Sequence, residues 1–150
     1  MRHRLVTLAG VLYLATLAPS AYAHHSHPYF YDECNSITIE GRVDRVEFKN
    51  PHTWIVLRLD DGTAYTVDWA PMSRLTSEHV IGPAKEALVS GARVVVTGNR
   101  IRPVAQIREH FPDFTSEVNP NTVDPISIRV GGSFSWALPP RTSSPNCDGK

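Results

Sequence analysis

The chain lacks the features that mark a nucleic-acid binder, a membrane protein or a familiar hydrolase. Its 15 basic and 15 acidic residues leave no positive excess, so the phosphate attraction that dominates nucleic-acid affinity is missing. After Leu5–Leu17, no apolar run approaches the ~20 residues that a helical membrane span needs. No Gly-x-Ser-x-Gly elbow, zinc-protease helix or phosphate-cradling glycine loop is present. Asp60 and Asp61 adjoin Gly62 and read as turn chemistry, not as a catalytic carboxylate pair. There are no internal repeats. Cysteine is scarce, with only Cys34 and Cys147. An even pair in an oxidising compartment is expected to form a disulfide, here closing 113 residues. The competing reading is a free or intermolecular thiol in a loose tail.

What is present begins at the amino terminus. Arg2 and Arg4 form a positive region, Leu5–Leu17 an apolar one, and Ala21-Tyr22-Ala23 a small-x-small cleavage pattern. Residues 1–23 therefore read as a signal peptide, and the protein is expected to be periplasmic or secreted. No cysteine closes the apolar region, which argues against a lipid anchor. Cleavage leaves about 127 residues, enough for one small domain with a real core. It also leaves about 13 basic residues against 15 acidic ones. The new terminus would read His24-His25-Ser26-His27, a free amine and three imidazoles within four residues.

The rest of the chain reads as strands. A polar and aromatic arm covers 24–35, a barrel domain 36–138 and a loose tail 139–150. The first strand is predicted over Ser36–Phe48. Its apolar positions switch parity between Val43 and Val46, which requires a bulge near Asp44-Arg45, and Gly41 allows a bend. Asn50-Pro51 ends it. Thr53–Asp60 and Thr63–Trp69 alternate around the hairpin signal Asp61-Gly62. Pro71–Ser90 reads as two helical turns interrupted at Gly82-Pro83. Arg93–Ile101 and Pro125–Val130 are the fourth and fifth strands, with Ile126, Ile128 and Val130 facing inward. Phe134, Trp136 and Leu138 would extend or cover the edge. This order predicts an all-β fold with a short helical insert, a small OB-like five-stranded Greek-key barrel.

Three blocks resemble a known family: His24-His25-Ser26, the stretch Gly41-Arg42-Val43-Asp44-Arg45-Val46-Glu47-Phe48-Lys49-Asn50-Pro51-His52, and Asp68-Trp69. The chain is similar over residues 24–101 to an uncharacterised domain-of-unknown-function family of exported bacterial proteins. Its members typically begin His-His-Ser and carry Gly-x-Val-x-x-Val-Glu-Trp-x-Asn-Pro-His. Phe48 stands where tryptophan is usual, and His27 where phenylalanine is usual. The resemblance implies export and a small β fold, and implies no activity.

The candidate chemistry is metal capture. His24 would chelate copper through its amine and ring Nδ1, with His25 offering a competing mode; copper(II) favours such nitrogen sites. His27 adds a ligand, and His52, placed by Asn-Pro at the loop between strands one and two, is the next candidate. The extended arm from His24 to Ser36 reaches about 40 Å, enough to bring His24 to His52. The competing reading is a solvated arm, with His52 merely bonding its turn. His110 and His79 are weaker candidates. Trp54, Tyr65 and Trp69 form a candidate aromatic ligand platform, though large aromatics in so small a domain also fill cores. Arg93, Arg100, Arg102 and Arg108 cluster in sequence, diluted by Glu109, Asp113 and Glu117. The leading expectation is a non-enzymatic exported binding module. No cofactor is required and copper is the one that fits; the partner is a small ligand or an envelope protein. The alternative is a barrel that binds an oligomeric or small ligand on its aromatic face, without metal.

Overall fold

The structure, a computed structural model, describes residues 27–139 and residue 147. In order the elements are α1 (His27–Phe30), β1 (Tyr31–Glu47), β2 (Thr53–Arg58), β3 (Ala64–Trp69), α2 (Met72–Ser77), α3 (Ile81–Ala87), β4 (Arg93–Ile101), α4 (Val104–His110), β5 (Thr122–Val130) and β6 (Phe134–Ala137). The sheet order is β3-β2-β1-β4-β5-β6. A short parallel pairing, Thr66 with Thr122 and Val67 with Val123, joins β3 to β5 and closes the first five strands into a ring. All other pairings are antiparallel.

One long strand serves both sides of the ring. The register of β1 against β2 slips between Val43 and Arg45, at the predicted bulge, and this turns Val46 back toward the core that Val43 occupies. Gly41 lies where a Cβ would sit 2.8 Å from the Arg58 carbonyl oxygen, so any side chain there would push β2 away. At the β2–β3 hairpin, Gly62 adopts φ 86°, a conformation that glycine takes without strain. Inside the ring, Ile55, Leu57, Val67, Val94, Val96 and Ile128 are buried. Trp69 fills one end, edge-on to Trp136 at 5.2 Å and Phe134 at 6.3 Å.

Several boundaries differ from the sequence reading. β1 starts at Tyr31, five residues before the predicted Ser36, because Tyr31 pairs with Ile101 and Asp32 with Arg100. The helical insert breaks at His79, in the left-handed region at φ 57°, and not at Gly82-Pro83. Pro83 sits in the first turn of α3, where its missing N–H costs no helical bond. β5 gains Thr122–Asp124. A register shift opposite Thr97/Gly98 takes Ile126 out of the inward row, leaving Val123, Pro125, Ile128 and Val130 buried. The segment predicted as a plain connection contains α4, whose Ile107 is fully buried. Cys34 and Cys147 form a disulfide, with Cα atoms 5.5 Å apart. Among the described residues, no helix is long and apolar enough to cross a membrane.

Candidate functional site

The site is built where the arm folds back over the ring. Asn50-Pro51 turns the chain between β1 and β2 and delivers His52 to the outer face. Asp68 of β3 faces the same way, because the register pairs it with Trp54. His52 Nδ1 lies 2.5 Å from Asp68 Oδ1, and the Tyr31 hydroxyl donates to Asp68 Oδ2 at 2.5 Å. Both carboxylate oxygens are thereby engaged. Asp68 is buried, and burial raises its pKa against the opposing hydrogen bonds from Tyr31 and His52. The Tyr31 phenol is raised too, first by its own burial and then by the adjacent Asp68 charge.

A second imidazole comes from α1. His27 Nδ1 lies 3.2 Å from Asp124 Oδ2, on β5. This hydrogen bond raises the His27 pKa above 6.5, outweighing burial, which lowers it. The arm is pinned there through its carbonyls: Arg102 donates its backbone amide to the Phe30 carbonyl at 2.7 Å and its side-chain Nε to the Pro28 carbonyl at 3.1 Å. Phe30 also packs against Phe111 and Phe114, with centroids 5.4 and 5.6 Å away. The outcome is a column of four rings: Tyr31 to His27 at 5.8 Å, His27 to His52 at 6.4 Å, and His52 to Trp54 at 5.9 Å, all within 30° of parallel.

These rings border a cavity of about 510 Å³. Its floor is Trp54, Thr66 and Asp68 of β2 and β3. Pro51 and His52 rim one side, and the connection between α4 and β5 supplies Phe114, Glu117 and Val118 on the other. The hydroxyl groups that line it beside the two Asp–His pairs are those of Tyr31, Thr66 and Thr122. With each Nδ1 turned to a carboxylate, the remaining ring nitrogens are the ones left for a metal or ligand. A carboxylate behind an imidazole orients the ring and raises its basicity toward a metal.

The predicted residues separate into groups. His27 and His52 meet, with ring centroids 6.4 Å apart. His24 and His25 lie outside the described residues. The aromatic platform needs correction: register puts Trp54 on the outer face, whereas Tyr65 pairs with Leu57 and Trp69 with Thr53 on the inner one. Trp69 is 1% exposed core, Tyr65 packs against that core, and only Trp54 lines the cavity. His110 contacts Tyr29 at 4.5 Å with the rings tilted by 53°, away from this cavity, and His79 is exposed two residues past the end of α2. Sequence reasoning missed Tyr31, Asp68 and Asp124. Asp68 carried a legible signal, a carboxylate on the polar face of an alternating strand. Among the described residues, no group of three or more His, Cys, Asp or Glu is gathered as a metal site.

A ring of strands with a cavity on its outer face defines a small β-rich domain. A family model, described as a family of unknown function (DUF6152), matches residues 11–107, about two-thirds of the chain. The protein belongs to that family. No curated protein matches the chain.

Proposed function

We propose that this chain is exported and, once residues 1–23 are removed, serves in the periplasm or outside the cell as a non-enzymatic OB-like binding module that captures copper through its amino-terminal histidines. The strand connectivity β1-β2-β3-β5-β4 with a helical insert after β3 supports the OB-like reading. So does the position of the cavity, on the β2–β3 face between the two loops with which OB-folds take ligands. The disulfide fits an oxidising compartment.

The observation that carries the metal reading is His27 beside His52, each with Nδ1 held by its own carboxylate. Two pre-oriented imidazoles supply half of a four-nitrogen site. His24 stands three residues before His27, so at most about 11 Å of extended chain separates their Cα atoms. Amine, His24, His27 and His52 make a nitrogen-rich set of the kind copper(II) prefers, with His25 as the competing donor.

The test is copper titration of the natively processed chain, alongside a version bearing one extra leading alanine and the variants His27→Ala and His52→Ala. Every change is expected to weaken binding. Asp68→Asn, which removes only the carboxylate behind His52, is expected to cost about 10–100-fold. Equal affinity across the set would remove the proposal.

A further inference from the structure

The cavity beside the histidines has a neighbour of opposite character. The two meet at Ile101, Glu117 and Val118. The second, of about 710 Å³, is lined by Arg100, Arg102 and Arg108, with Asp32 and Glu117 as its acids. From this juxtaposition we infer that the paired cavities form a binding site for an amphipathic organic anion, its flat apolar body against Trp54 and Phe114 and its carboxylate or sulfonate head at Arg100 and Arg108.

The charges distinguish this cluster from an ordinary solvated surface. Of the four arginines grouped in sequence, Arg93 points elsewhere and is neutralised by Glu40 at 2.7 Å and Asp60 at 3.8 Å. The other three converge on one cavity. Arg102 is committed to Pro28, Gln106 and Asp32, which fixes the wall. Arg108 gives its Nε to the Phe114 carbonyl at 3.0 Å. That bond orients its guanidinium, whose terminal nitrogens make no hydrogen bond or ion pair to another described residue. Arg100 pairs through its backbone with Asp32 and Val123, and its side chain makes no hydrogen bond or ion pair to another described residue. Among the described residues, three guanidiniums against two carboxylates leave a surplus of positive charge, and a guanidinium fork matches a carboxylate or sulfonate in two parallel bonds.

The apolar half complements this. Phe30, Trp54, Ile101, Phe114 and Val118 line it, and no arginine or lysine does. A cation would have the aromatic half to itself but would meet the arginines at the junction. A neutral ligand would leave those charges unused. The volumes are in the range of sites for small organic molecules. The inference does not depend on metal capture, since neither arginine touches the histidines.

Two dyes of nearly one shape provide the test: 8-anilinonaphthalene-1-sulfonate and its uncharged counterpart N-phenyl-1-naphthylamine. They are titrated into the full chain, disulfide intact, with a chelator present to exclude metal. The sulfonate is expected to bind at least about tenfold more tightly than the neutral dye. Arg100→Gln should erase most of that preference without changing the neutral dye, Arg100→Lys should restore part of it, and Arg93→Gln should leave both unchanged. Phe114→Leu should weaken both dyes. Equal affinity for the two dyes, or an Arg100→Gln effect no greater than that of Arg93→Gln, would overturn the proposal. Because metal is absent, neither result bears on copper.

Discussion

Tyr31→Phe is the sharpest perturbation of the site, because it deletes one oxygen and leaves shape intact. Tyr31 and Asp68 are 5% and 6% exposed, so water cannot readily replace the lost donor. A hydrogen bond to a charged group contributes about 1.5–3 kcal/mol, and the orphaned carboxylate oxygen retains its desolvation cost. We therefore expect a loss of about 2 kcal/mol at neutral pH, which lowers Tm by roughly 6–10 °C in a domain of this size. The sign of the pH dependence is also fixed. Burial already raises the Asp68 pKa, and the Tyr31 bond opposes that rise. Without the bond the folded-state value climbs further, so protonation relieves the variant more than the parent. The stability gap should be widest above the Asp68 titration and narrow as pH falls through it. Guanidinium unfolding of both proteins at pH 7 and near pH 4, with chelator present, measures this. Tyr65→Phe, half-buried against the core, serves as control and should cost much less. A gap under about 0.5 kcal/mol at pH 7, or one that widens in acid, would refute the account of the Tyr31–Asp68–His52 network.

Other outcomes follow from the same geometry. Trp69→Ala should destabilise by about 3–5 kcal/mol, as expected for an emptied core site. Trp54→Ala should cost much less stability; thermal melts of the pair separate core from cavity wall. Reducing the disulfide, or Cys147→Ser, should lower stability by up to ~4–5 kcal/mol in the chain-entropy account, measured by urea unfolding with and without reductant. His27 has its folded-state pKa raised by Asp124, so its pairing stabilises the fold fully below pH ~6.5 and fades as pH rises through the folded value. In metal-free buffer, His27→Ala should flatten that decline between pH 6 and 8; an unchanged slope would contradict the assignment.

Much of the ring was legible in sequence because period-two burial writes itself into a strand. β4 begins and ends where its valines predict, and the parity switch after Val43 located the bulge. The closure of the ring was not legible. Thr122 and Val123 pair in parallel with β3 across more than fifty residues, and no local pattern encodes that contact. α4 was hidden because its seven residues bury one large side chain, Ile107, and give no periodic signal. At the site, His27 and His52 were visible as residue types, but their meeting depends on Tyr31 and Asp32 pairing with Ile101 and Arg100 of β4, beyond an irregularity between Asp32 and Ser36. Their carboxylate partners lie on two different strands, brought side by side only when the ring closes. The aromatic platform failed for a simple reason: grouping Trp54 with Tyr65 and Trp69 ignores which faces the hairpin register joins.

The central claim is that His27 and His52 both coordinate copper through the nitrogen not turned toward a carboxylate. Pulsed electron paramagnetic resonance of the copper-loaded, natively processed chain detects the remote, non-coordinating nitrogen of each equatorial imidazole. The account predicts that His27→Ala and His52→Ala each remove one such imidazole from the spectrum. Spectra indistinguishable from the parent in either variant would contradict it.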